Sequence, residues 1–310
     1  MMKNAIYGGV NAAVLTPMLP DLTPDIARMA AHCRWLLANG CNSLGILGTT
    51  GEATSFSVAE RIAIMEGVVA GGIAAARLLP GAGCAALTDS VALTKAAGKL
   101  GCPGVLVLPP FYYKNPSDDG LFAFFSELVN RTGGATKIYL YNFPQQSAVP
   151  FSLDLIGRLL KAFPAVIKGV KDSSGDFDNM QAMADAFARD GFEVYAGSDE
   201  FLTRMLAAGG AGCITAASNV NSAYGARVYA APGTADGDAA QVVLSATRRA
   251  VTSVPLISGL RSLMARHTGH SGWKTIRPPH VALWPEQESA LFAAFDATGA
   301  RLAPVQKLAA

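Results

Sequence analysis

Short apolar runs of strand character alternate with helical segments eight times before residue 220, and this alternation restricts the fold more than any other feature. The runs are Val10–Pro17, Ser43–Gly48, Leu78–Gly83, Gly104–Pro109, Lys137–Pro144, Ala165–Ser173, Glu193–Asp199 and Gly212–Asn219. Several are apolar without a break, as in Gly104-Val105-Leu106-Val107-Leu108, the pattern of parallel strands buried on both faces. Helices are expected from about Asp25 to Asn39 and from Ser57, Ser90, Asp118, Ser152, Asn179 and Phe201. Ser57-Val58-Ala59-Glu60 reads as a capping box, in which hydroxyl and carboxylate satisfy donors that the first turn leaves unpaired. Repeated β-α units of this number point to the α/β class and a closed (β/α)8 TIM barrel. An open doubly wound sheet is the rival reading.

The pattern changes after Asn219. Helical periodicity continues near Tyr224–Tyr229, Asp238–Thr252, Ser258–His267 and Glu286–Thr298, with no clear strand and with Pro278-Pro279 in a loop. Residues 1–223 therefore read as a barrel and 224–310 as a helical extension packed on it. With 51% hydrophobic residues the chain can bury a large core. A net charge of +2, without runs of one sign, gives no support to a nucleic-acid or membrane partner. The five cysteines, Cys33, Cys41, Cys84, Cys102 and Cys213, form no CxxC pair and fit free buried thiols. The start, MMKNAIYGGV, has no basic flank followed by an apolar run, and no stretch is long and apolar enough to cross a bilayer. A cytoplasmic protein is the expectation.

A barrel of this kind carries its chemistry at the C-terminal ends of its strands. The polar groups falling there are Thr49, Thr50 and Glu52; Tyr112 and Tyr113; Tyr141 and Asn142; Lys171, Asp172 and Ser173; and Ser198, Asp199 and Glu200. Lys171 stands out, at the end of Gly169-Val170-Lys171. Desolvation at a barrel mouth disfavours an ammonium, and a neutral amine can attack a ketone to form an imine. Most lysines reach solvent, and Lys171 is set apart by its strand end and its neighbours. Lys168, three residues earlier, is expected on the opposite face of the strand. Tyr141 offers a phenol able to move a proton, whereas Tyr139 reads as core. Gly48-Thr49-Thr50-Gly51-Glu52 is a loop whose glycines and hydroxyls can hold a carboxylate, without the Gly-Lys-Ser/Thr of a nucleotide loop. His32, His267, His270 and His280 lack the spacing of a metal site, so no metal is expected. Neither a GxSxG elbow nor a GxGxxG after the first strand occurs.

Taken in order, Gly48-Thr49-Thr50-Gly51-Glu52, Tyr141-Asn142-Phe143-Pro144, Gly169-Val170-Lys171-Asp172 and Gly197-Ser198-Asp199-Glu200 resemble the dihydrodipicolinate synthase / N-acetylneuraminate lyase family across about residues 8 to 220. The resemblance implies a class I aldolase or lyase with a Schiff base on Lys171, Tyr141 as proton relay, and no cofactor or metal. It implies that Thr49 and Thr50 bind the carboxylate of a 2-keto acid such as pyruvate, with Thr50 relaying protons towards Tyr141 and Gly48 in the same loop. It implies that Tyr113 reaches into a neighbouring subunit's site, that Gly197 and Ile214 line the pyruvyl pocket through backbone groups, and that the assembly is a homotetramer of two dimers.

Departures bear on the second substrate, an aldehyde. The synthases carry an arginine where this chain has Gln146, and a neutral amide cannot form the bidentate charged pair. Asp199 and Glu200 resemble the lyase branch, where they bind sugar hydroxyls, and Ser173 stands where that branch often has threonine. Ala216 replaces a serine of the sialic-acid lyases. The expectation is therefore a lyase acting on a smaller 2-keto-3-deoxy sugar acid. The alternatives are 4-hydroxy-tetrahydrodipicolinate synthase, a dehydratase using the same imine, and a binding barrel without catalysis.

Overall fold

Apolar runs able to bury both faces become the strands of one parallel sheet. The computed structural model describes residues 5–305; Met1–Asn4, read above for a leader, lies outside the described residues. The strands are β1 Gly9–Ala13, β2 Ser43–Gly45, β3 Gly104–Val107, β4 Lys137–Asn142, β5 Ile167–Asp172, β6 Glu193–Ala196 and β7 Gly212–Thr215. Their order is β2-β1-β7-β6-β5-β4-β3, all parallel.

The third expected strand, Leu78–Gly83, is not a regular strand, yet it closes the sheet. Leu79 and Gly81 donate backbone hydrogen bonds to Leu44 and Ile46 at 2.9 and 2.8 Å, while Ala82 donates to Leu106 at 2.8 Å and Leu106 to Pro80 at 2.9 Å. Pro80 has no N–H, so the ladder survives there only as isolated bridges. With that segment in place the sheet is a (β/α)8 barrel.

Helices α1 Ile26–Ala38, α2 Val58–Ala70, α3 Leu87–Lys99, α4 Asp118–Thr132, α5 Pro144–Ser147, α6 Leu153–Ala162, α7 Phe177–Phe187, α8 Leu202–Ala207 and α9 Ser218–Ala230 follow the strands and surround them. The expected capping box is present: Ser57 accepts from the Glu60 amide, and Glu60 accepts from the Ser57 amide. Asp25, Ser117, Ser152 and Asp176 cap α1, α4, α6 and α7 in the same sense. The third helix starts at Leu87, ahead of the expected Ser90, and the seventh at Phe177, ahead of Asn179. The tail adds α10 Ala235–Thr252, α11 Leu256–Thr268 and α12 Pro285–Ala297. Helix α9 runs across the boundary expected at 223/224. No helix among the described residues is long and apolar enough to cross a membrane. All five cysteines are free and buried.

Two buried polar clusters tie the layers together. At the bottom of the barrel Glu193 accepts from the phenols of Tyr139 and Tyr195, at 2.9 and 2.6 Å, and from the Ile6 amide at 2.9 Å. Tyr139 is thus a core residue with a satisfied hydroxyl. Beside β1, His32 Nε2 meets Asn219 Oδ1 at 2.8 Å, and Asn219 directs its Nδ2 to the carbonyls of Ala13 and Ala216. Oδ1 is therefore the accepting atom, and His32 Nε2 carries the proton.

Burial, helped by the nearby His267, pushes the His32 imidazole down to about 4 against the opposing hydrogen bond to Asn219. The folded chain keeps this ring neutral, whereas the unfolded chain protonates it below about 6.5. Stability is therefore fully present above that value and falls as pH drops from about 6.5 to about 4, by about 3 kcal/mol in total. Urea unfolding at pH 7.5 and 4.5 tests this. His32→Gln, which keeps a donor but cannot titrate, should lose less stability over that interval than the parent. Parallel losses would contradict the assignment.

Candidate active site

The pairing of β4 with β5 sets the centre of the site, because Tyr141 lies opposite Lys171 and Asn142 opposite Asp172. Each strand delivers one reactive side chain and one structural one. Asp172 is fully buried and accepts from Asn142 Nδ2 at 2.8 Å, from Asn179 Nδ2 at 2.7 Å and from the Ser174 amide at 2.8 Å. Asn142 in turn accepts from the Phe151 amide at 3.1 Å. These bonds lock the two strand ends in register, and the reactive pair is held by them.

Lys171 Nζ donates to Tyr141 Oη at 3.2 Å and sits 4.3 Å from the centre of its ring. Both residues are at most 5% exposed, and Lys171 has no carboxylate within ion-pair distance among the described residues. Burial alone would raise the Tyr141 phenol. The charge of Lys171, with hydrogen bonds involving Thr49, Ser173 and Lys171, outweighs it and holds the phenol below its ordinary value. A phenol shifted in that direction exchanges a proton more readily near neutrality.

Lys171 and Tyr141 open into a cavity of about 340 Å³ that also takes in Thr49, Thr50, Ser173, Gly197 and Gln146. Gly48 borders an adjoining cavity of about 240 Å³, which shares Thr49, Tyr141 and Gln146 with the first. The Gly48–Glu52 loop is tightly constrained. Leu47 and Glu52 flank it with φ of 55° and 56°, a left-handed backbone uncommon for such residues. A Cβ at Gly51 would sit 2.9 Å from the Val14 carbonyl, and one at Gly197 would collide with Ser173 Oγ. Glycine is required at both positions by close approach.

Some expectations are corrected by this geometry; those for Tyr113 and Lys168 are not. Thr49 and Thr50 both line the cavity beside Tyr141, and Thr49 is among the groups that hold the phenol below its ordinary value. Asp199 and Glu200 do not line it. Asp199 begins a short 3-10 turn that directs its side chain inward, where it is fully buried and accepts from Asn221 Nδ2 at 2.6 Å. Glu200 faces outward and pairs with Arg249 at 3.0 Å. Ile214 is fully buried in the barrel core and lies outside the cavity lining. Tyr113 is 76% exposed and far from burial in the site of its own chain. Lys168 bonds the Gly191 carbonyl at 2.8 Å, away from the cavity.

The tail supplies what the strand-end rule could not foresee. Arg248 of α10, Pro255 to Ser258 at the start of α11, and His280 all line the same cavity. No periodicity or motif marks them. They reach the site because Arg261 and Arg277 fasten the tail to the barrel. Arg261 is fully buried against Glu52 and also donates to the carbonyls of Thr16, Trp273 and Thr275. Arg277 donates to Ser55, Leu22 and Glu60, which fixes the loop carrying His280.

Known proteins resemble the chain over nearly its whole length. The family model described as the dihydrodipicolinate synthetase family matches residues 6–297. A protein named an uncharacterized DapA-like lyase, from Chloroflexus aurantiacus, is 36% identical over 93% of this chain and 96% of its own. A 4-hydroxy-tetrahydrodipicolinate synthase of Agrobacterium fabrum is 30% identical over 95% of this chain and 99% of its own. The crystal structure of a dihydrodipicolinate synthase from Agrobacterium tumefaciens superimposes with a TM-score of 0.86 at 34% identity, covering 94% of this chain and 99% of that one. The chain belongs to the dihydrodipicolinate synthetase family of lyases, enzymes that act on pyruvate through a covalent lysine imine without a separate cofactor.

Proposed function

We propose that Lys171 is the imine-forming residue and that the enzyme joins pyruvate to an aldehyde, or runs that reaction backwards. The observation that carries this reading is the buried Lys171 amine, 3.2 Å from the Tyr141 hydroxyl, at the wall of the cavity. The keto-acid carboxylate docks on the Thr49–Thr50 loop, whose hydroxyls and amides can hold an anion. Lys171 Nζ adds to the carbonyl carbon, and Tyr141 passes a proton to the oxygen that leaves as water. The iminium draws electrons from the adjacent methyl, which loses a proton and becomes an enamine carbon. That carbon bonds to the aldehyde carbon while the aldehyde oxygen takes up a proton. Water then adds to the iminium and frees the lysine and a 4-hydroxy-2-keto acid.

The placement of Asp199 and Glu200 outside the cavity removes the hydroxyl-binding rim on which a sugar acid was expected. The full-length relative named 4-hydroxy-tetrahydrodipicolinate synthase favours the synthase reading over the sugar-acid one. Elimination of water from a keto-deoxy acid would use the same imine, and product analysis separates the two. Exposed Tyr113 is proposed to complete the site of a neighbouring copy in a homotetramer.

Tyr141→Phe keeps the ring and removes the proton. It should lower kcat/KM for pyruvate-dependent condensation by about 10²- to 10⁴-fold, read in a continuous assay of aldehyde consumption. A loss of less than about tenfold would rule out the proton-relay role.

A further inference from the structure

We infer that Arg248, from the tail helix α10, binds an anionic group on the aldehyde substrate and takes over the task that Gln146 cannot perform. The inference rests on the imine reading above and specifies the second substrate of that site as an acidic aldehyde.

Three observations support it. First, the cavity around Lys171 is lined by two basic residues, Lys171 and Arg248, together with His280, and by no Asp or Glu. Lys171 and the Thr49–Thr50 loop account for the keto acid, which leaves Arg248 unassigned. Second, Arg248 is only partly exposed, forms no ion pair and donates no side-chain hydrogen bond among the described residues. Its sequence neighbour Arg249 is paired with Glu200. A guanidinium held at a cavity wall without a carboxylate has its forked donors free for a ligand. Third, the first turn of α11 lines the same wall with Pro255, Leu256, Ile257 and Ser258, and no side chain caps it. Its unpaired amides and the positive end of the helix dipole favour an anion beside Arg248.

An acidic group that feels Arg248 is Asp199, which is fully buried and accepts from Asn221. Burial raises the Asp199 carboxyl above its ordinary value, against the pull of Arg248 and Asn221, and no Asp199 oxygen forms an ion pair with Arg248 among the described residues. A neutral polyol offers nothing to match the positive wall, whereas a carboxylate or phosphate at the far end of the aldehyde does.

The test compares pyruvate-dependent consumption of succinic semialdehyde, glyceraldehyde 3-phosphate and neutral glyceraldehyde by the full chain. The expected result is a kcat/KM preference for an acidic aldehyde over the neutral one, the better of the two acids identifying carboxylate or phosphate. Arg248→Met should reduce that preference by about 10- to 100-fold, mainly through KM, and Arg248→Lys should restore part of it. Arg249→Met, outside the cavity, serves as a control and should leave the preference intact. Equal use of neutral and acidic aldehydes by the parent, or a preference that survives Arg248→Met, would overturn the inference. So would an Arg248→Met variant that loses thermal stability alone, as a mere counter-charge to Asp199 would. Borohydride trapping of pyruvate on the parent separates the two failures. Trapping without acid preference removes only the role of Arg248, while absence of trapping removes the imine reading and this inference with it.

Discussion

Lys171→Ala is expected to lose turnover by about 10⁴-fold or more, whereas Lys168→Ala keeps activity within a few-fold of the parent. The difference follows from geometry. Lys171 is 5% exposed and aims its amine at the Tyr141 hydroxyl inside the cavity. Lys168, three residues earlier in β5, bonds the Gly191 carbonyl outside it. Removing the first deletes the atom that becomes covalently bound to substrate, and no neighbouring amine can replace it. Unchanged far-ultraviolet circular dichroism would show that the fold survives. Comparable losses in the two variants would contradict the assignment, as would substantial residual turnover in Lys171→Ala.

The largest expected effect on stability comes from Arg261→Met. Arg261 and Glu52 are essentially without solvent exposure, with side chains at 1% and 0%. Arg261 brings together the Gly48–Glu52 loop, the Thr16 carbonyl and the turn near Trp273. Methionine fills much of the volume but strands the Glu52 carboxylate and three carbonyls in a dry interior. Breaking a buried pair on one side costs about 3–5 kcal/mol. Urea denaturation should show this as a lowered midpoint. Adding Glu52→Gln to Arg261→Met should recover part of the loss, since the second change removes the stranded charge. A single-variant loss below about 1 kcal/mol, the range of an exposed pair, would show that the interaction is not buried in solution. The loop held by Glu52 carries Thr49 and Thr50, so a higher KM for pyruvate should accompany the loss.

The two variants also mark what was readable from the chain. Strands such as Gly104–Val107 are legible because burial on both faces demands an unbroken apolar run, and the capping box at Ser57 because its chemistry is local. Lys171 and Tyr141 are legible because a barrel presents its strand ends to one mouth. Other features need tertiary information. Pro80 broke the third ladder without removing the segment from the barrel. Asp199 follows a strand as Lys171 ends one, yet a short 3-10 turn rotates it into the core, and nothing in Gly197-Ser198-Asp199-Glu200 states that rotation. Arg248 and His280 come from the tail, whose route over the barrel mouth depends on the buried contacts of Arg261 and the partly buried ones of Arg277. A rule about strand ends is silent on residues that arrive from outside the barrel.

The most direct measurement is borohydride reduction of the folded chain saturated with pyruvate, followed by peptide mass mapping. The account predicts that the peptide containing Lys171 gains the mass of a reduced pyruvyl group, that Lys168 remains unmodified, and that labelling inactivates the enzyme. Intact, folded protein recovered without label at Lys171, or labelled at another lysine instead, would contradict it.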